Sequence, residues 1–232
     1  MAPPMRCWRG FPGAAGFEER RTMSFVCEVF PPDADALSPI CPSAISSRDE
    51  NVLFEIFRPD VALAIWLRPQ PAKWKAGLGT LLQQVPFGAI GRGTSEDALD
   101  QIVQALPVPA PAALLSDMLL LGRFFATITQ QSEIRASLAG VNDDSCRRFH
   151  CDSVRLRLLC TYHGPGTQFT MCGPQCRAPH QIPACAVALV KGSAHPAALG
   201  NACLHRSPPV SHLPENRRGR LLFCIDEPGF LP

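Results

Sequence analysis

Hydrophobic positions change their period partway along the chain. Between residues 70 and 130 they recur at helical spacing, and from 131 to 226 they alternate or form short runs between Gly, Pro and Asn. Val61 to Leu67 is a continuous apolar run bounded by Pro59 and Pro69, which predicts a buried strand. Pro71 to Gln84 predicts a helix with Trp74, Leu78, Leu81 and Leu82 on one side. Thr94 and Asp97 form a capping pair ahead of Leu99, Ile102, Val103 and Leu106, and Pro107 stops that helix. A third helix starts near Pro111 and carries the stripe Leu114, Met118, Leu121, Phe125 and Ile128. These helices predict a layer packed on a sheet.

Ile134, Ala136 and Leu138 then alternate with more polar neighbours. Val154 to Tyr162, Cys185 to Val190, Ala202 to Arg206 and Arg220 to Ile225 read as further short strands. Evenly spaced strands of this kind predict an antiparallel sandwich or barrel. The expected fold is α+β: a double-stranded β-helix (jelly roll, cupin-like) in the C-terminal half, covered by a helical layer from the N-terminal half. Residues 1–50 are Pro-rich and weakly patterned, with one short strand expected over Phe25 to Phe30 and loop from Pro31 to Asp49. A single domain is expected over 51–232, helical at 70–130 and sheet at 131–226.

Composition narrows the classes. A length of 232 residues suits one domain, and a net charge of +2 gives no basis for a nucleic-acid or membrane surface. No apolar run reaches the ~20 residues of a membrane span. Met1 to Arg21 contains Glu18 and Glu19 and no apolar core, so no signal peptide is expected there, and Met23 is an alternative initiator. The 11 cysteines are an odd count. Several, such as Cys160 and Cys224, sit inside apolar runs as small hydrophobes. A reducing, cytoplasmic location is expected.

The candidate chemistry centres on Phe149-His150-Cys151-Asp152. Residues i and i+2 of an extended strand share a face, so His150 and Asp152 project together. With His205 from a late strand they make two imidazoles and one carboxylate, the donor set of a facial triad with three open positions for a keto acid and dioxygen. A keto acid's far carboxylate requires a cation, and Arg is favoured for its planar fork. Arg220 is the first choice and Arg218 the second, with Tyr162 as a hydroxyl donor. The bland alternatives are a core or capping role for His150 and Asp152, and a surface pair of His205-Arg206 with Asp226 or Glu227. Cys172, Cys176 and His180 have partial zinc spacing, with Cys185 or His163 as a fourth ligand. Gly91-Arg92-Gly93-Thr94 is too short for a phosphate loop and lacks a preceding strand in this reading, and no Gly-x-Ser-x-Gly elbow exists.

The segments Phe149 to Asp152, Arg157-Leu-Leu-Cys-Thr-Tyr-His-Gly-Pro-Gly-Thr167, Val187 to Gly192 and His205-Arg-Ser-Pro-Pro209 also carry a resemblance. Over roughly residues 50–226 the chain resembles a bacterial family known only as a domain of unknown function. Members of that family tend to be encoded near zinc-homeostasis genes of the CobW GTPase type. More distantly, the His-x-Asp pair, the later His and the following Arg resemble Fe(II)/2-oxoglutarate dioxygenases. That resemblance implies His150, Asp152 and His205 as metal ligands and Arg220 as the 2-oxoglutarate anchor. The interval from His205 to Arg220 is 15 residues (220 − 205), longer than is usual there, and Arg218 shortens it to 13. The implied function is an Fe(II)- and 2-oxoglutarate-dependent oxygenase acting on a small-molecule or protein substrate. The alternative is a non-catalytic, zinc-related metal-binding accessory of the same fold, linked to a zinc-homeostasis GTPase.

Overall fold

A computed structural model describes residues 23–25, 43–69, 72–171, 179–197 and 203–229. The strands are β1 (Met23–Phe25), β2 (Ser43–Ser47), β3 (Val61–Trp66), β4 (Phe87–Gly93), β5 (Ile134–Val141), β6 (Leu156–His163), β7 (Gln168–Thr170), β8 (His180–Gln181), β9 (Val187–Lys191), β10 (Leu204–Arg206) and β11 (Arg220–Asp226). The helices are α1 (Ala72–Leu82), α2 (Ser95–Ala105) and α3 (Ala112–Thr129), with a 3-10 helix over Glu50–Phe57. The side chain of Trp74, the strand positions Phe30 and Ala202, and Cys172 and Cys176 lie outside the described residues.

Two sheets form. The large one runs β1-β2-β3-β9-β6-β11-β5-β4 and the small one β10-β7-β8. A single bridge between His150 and His205 adds the segment at 150 to the edge of the small sheet. Count β5, the 150 segment, β6, β7, β8, β9, β10 and β11 as 1 to 8. Then 1 pairs with 8, 2 with 7, 3 with 6 and 4 with 5. A chain folded back on itself with those pairings is a jelly roll, and its two sheets face each other. The α+β class and the jelly roll therefore stand as expected.

Each strand of the large sheet divides its side chains between two cores. Leu158 and Cys160 of β6, and Leu221, Phe223 and Ile225 of β11, join the α3 stripe Leu114, Met118, Leu121, Phe125 and Ile128. Leu159, Leu222 and Cys224 point the other way, towards Phe169 and Ile182 of the small-sheet side. The period of two thus separates a helix-covered face from the jelly-roll interior. Among the described residues α3 is the one helix long and apolar enough to cross a membrane, and its stripe is packed on the sheet.

Three expectations change. The capping box at Thr94 and Asp97 forms, but α2 buries Ser95, Ala98 and Ile102 while Val103 stays 40% exposed. Gly91 explains the rotation, because a Cβ there would strike the Ala98 carbonyl, so the helix rests on the sheet along the line of Ala98. Second, Gly91 and Gly93 belong to β4 itself, so a strand does precede α2. Its pattern is faint because Phe87-Gly-Ala-Ile-Gly-Arg-Gly has few large apolar residues. Third, β2 pairs in parallel with β3, and β1 pairs with β2. The sheet therefore extends into the segment read as a leader, with its strand at 23–25.

Candidate metal centre

The site is assembled across the small sheet. His150 and His205 donate their backbone N–H groups to each other's carbonyls at 3.0 and 2.9 Å. Residues that exchange both bonds sit opposite each other with side chains on one face, and the two imidazole centroids lie 4.7 Å apart. The Arg206 guanidinium stacks 4.4 Å from the centre of the Phe149 ring and reinforces this pairing. His150 contributes only a single bridge, and no regular strand continues to Asp152. Asp152 is instead placed by the end of β9, where Ser193 N–H donates to its carbonyl at 2.8 Å. Gly192 permits this approach, since a Cβ there would strike the carbonyls of Asp152 and Val154.

His150, Asp152 and His205 each present a ligand atom, all within 4.8 Å of one another. His205 Nε2 lies 2.9 Å from Asp152 Oδ2, and His150 Nε2 lies 3.6 Å from Asp152 Oδ1. The Arg148 carbonyl, 3.0 Å from His150 Nδ1, can only accept, so it holds a proton on Nδ1 and leaves Nε2 as the ring atom turned towards Asp152. Oδ2 is buried and receives no aligned hydrogen bond despite its short contact. Donors bound at about 2.1 Å in adjacent octahedral positions are ~3 Å apart. The His205–Asp152 contact has that separation, so the donor set fits a divalent ion shared between the two atoms.

Electrostatics agree with the geometry. Burial opposes charge on Asp152, but His150, His205 and Arg157 outweigh it and hold the carboxyl well below the usual carboxylate range. The hydrogen bond to Asp152 raises His150, against the opposing effect of burial. The surface pairing of His205 with Asp226 does not form: His205 is 5% exposed and faces Asp152, while Asp226 pairs with Arg157 and Arg135.

Arg220 opens β11 and is 1% exposed. Its Nε donates to the Pro165 carbonyl at 2.7 Å and Nη1 to Ser207 Oγ at 2.8 Å, while Nη2 has no partner. Burial pulls this guanidinium down to about 10, so it remains cationic at neutral pH. Ser207 follows His205 by two residues, on the order of 6–7 Å along an extended chain. Gly164, at φ +81°, makes the turn that brings Pro165 to Arg220.

Two further candidates lie elsewhere. Tyr162 shares the strand face of Leu158 and Cys160, which turns it to the helices, where its ring lies 6.2 Å from that of Phe223 and its hydroxyl donates to Asp117 at 2.7 Å. It is not part of the site, contrary to expectation. Arg218 lies in the turn before β11 and donates to the Leu213 carbonyl at 2.9 Å. Of the zinc candidates among the described residues, Cys185 is buried on the helix face, while His163 and His180 are half-buried on β6 and β8. Arg157, beside Asp152, and Ser207, beside Arg220, carry no site signal in the sequence. Arg157 sits on the polar side of an alternating strand, which reads as solvent-facing until a second sheet covers it.

No curated protein matches the chain. Among solved structures it is similar to a dioxygenase for auxin oxidation from rice, at 14% identity over 71% of this chain and 72% of that one, TM-score 0.45. It is similar to a bsmA homolog from Methylobium petroleophilum at 13% identity over 78% and 94%, TM-score 0.46. It is also similar to a Pseudomonas putida prolyl-4-hydroxylase at 12% identity over 77% and 98%, TM-score 0.41. The family model DUF1826, "Protein of unknown function", matches residues 47–226, and the chain belongs to that family.

Proposed function

We propose that the chain is an Fe(II)- and 2-oxoglutarate-dependent oxygenase. His150, Asp152 and His205 hold the metal through two imidazole nitrogens and one carboxylate oxygen, which leaves three positions open. Arg220, steadied by Pro165 and Ser207, receives the far carboxylate of 2-oxoglutarate through its unpartnered Nη2. The metal, when bound, supplies the oxidation in which a substrate C–H, dioxygen and 2-oxoglutarate become C–OH, succinate and carbon dioxide. The chain's own part is to orient the donors and keep the guanidinium dry. The observation that carries this reading is the meeting of three ligand atoms within 4.8 Å inside a jelly roll that also buries an unpaired Arg.

The test is an anaerobic titration of metal-free protein with Fe(II) and then 2-oxoglutarate. A visible charge-transfer band is expected, absent in His205→Ala, with succinate formed once air is admitted. Tight zinc with no 2-oxoglutarate binding would replace this reading with the non-catalytic accessory.

A further inference from the structure

Behind Asp152 stands a row of charge that neither the donor set nor the keto-acid anchor uses. Arg157 on β6, Asp226 on β11 and Arg135 on β5 are direct cross-strand neighbours, with Asp226 opposite both arginines in register. Arg157 grips Asp226 as a fork, with Nε to Oδ1 at 2.6 Å and Nη2 to Oδ2 at 2.8 Å. Arg135 Nη1 meets the same Oδ2 at 3.2 Å. Only Nη1 of Arg157 remains, and it lies 2.7 Å from Asp152 Oδ1. The Arg157 side chain is 15% exposed and Asp226 2%, so the row is locked into the sheet and reaches out to a residue held by loop backbone.

We propose that Arg157 is a positioning residue that confines Asp152 to donating one oxygen to the metal, with Asp226 fixing Arg157 in turn. The inference rests on the metal-site reading above. A carboxylate with both oxygens free can bind a cation through both. Here Oδ1 is occupied by the guanidinium, and the buried, unpartnered Oδ2 is the atom turned towards His205. The constraint matters because a second carboxylate bond would fill one of the three positions that a bidentate co-substrate and dioxygen need. Asp226 cancels one of the two arginines, so the row meets Asp152 with one net positive charge rather than two.

Two binding constants separate this role from a merely structural one. Co(II) binding to metal-free, full-length protein is measured first, and 2-oxoglutarate binding to the Co(II)-loaded protein second. In Arg157→Gln, Co(II) is expected to bind as tightly as in the wild type or more tightly, while 2-oxoglutarate binding weakens about tenfold or more. Arg157→Lys, which keeps a cation beside Oδ1, recovers most of that loss. Asp226→Asn retains the shape of the row and shows the same split at smaller amplitude, which decides the matter if Arg157→Gln does not fold. Unchanged 2-oxoglutarate binding, or parallel loss of both ligands without rescue by lysine, overturns the inference and leaves the triad standing. His205→Ala tests the triad separately. If it holds Co(II) as well as the wild type does, the metal-site reading falls and takes this inference with it.

Discussion

Two clusters of buried charge, one on each face of the large sheet, are treated in opposite ways. On the helix face Arg68 donates through Nε to the Cys185 carbonyl at 2.6 Å and through both terminal nitrogens to Asp117 at 2.6 and 2.7 Å. Tyr162 adds its hydroxyl to the same carboxylate. On the jelly-roll face Asp152 Oδ2, His205 Nδ1 and Arg220 Nη2 are buried without hydrogen-bond partners. Leaving such a group unsatisfied costs about 1–3 kcal/mol. A closed cluster fits a role in holding the helix layer to the sheet, whereas a cluster with open valences fits the proposed role of receiving a metal and a co-substrate.

The largest effect that would sharpen this contrast is on the closed side. Arg68→Met should destabilise the fold by about 3–5 kcal/mol, because it strands the buried Asp117 carboxylate. Urea unfolding measures it, and a loss under 1 kcal/mol would show that the cluster is not closed. On the open side the sign reverses. Arg220→Met removes a buried cation with no carboxylate partner, so the metal-free protein should gain on the order of 1–3 kcal/mol. A fall in its unfolding midpoint would mean that Arg220 is satisfied within the fold.

The smallest effect concerns Asp144, whose carboxylate accepts from the Val210 and Ser211 N–H groups and the Ser211 hydroxyl, tying the segment before His150 to the one after His205. These bonds, that of the Ser211 side chain foremost, hold its carboxyl at about 2, below the ordinary 3.8. A depressed carboxyl stabilises the fold fully above its unfolded value, and that contribution disappears as pH falls from 3.8 towards about 2. Melting temperatures of the wild type and Asp144→Asn should converge as pH drops through this window. Parallel curves would remove Asp144 from the account.

The predicted strands and helices at 61–67, 71–84, 94–106, 134–139 and 154–162 correspond to β3, α1, α2, β5 and β6 with shifts at their ends. Long periodic runs report burial directly, which is why they were legible. β4 was not, because three of its seven residues are Gly, and the value of Gly91 and Gly93 lies in letting α2 approach. The stripe of α2 likewise gave the right helix with Val103 wrongly counted as buried, since Gly91 sets the contact line from another element.

For the site, the one-residue spacing of His150 and Asp152 and the strand around His205 made the donor set visible from the chain alone. The sheet register decided the remainder. Tyr162 and Arg157 lie on one strand, and only the positions of the helices and the small sheet reveal that the tyrosine faces α3 and the arginine faces Asp152. A sequence records which side chains alternate along a strand, because that follows from backbone geometry. It does not record what covers each side, because that depends on pairings between residues as distant as 157 and 226, whose contact is set by the closure of the whole sheet.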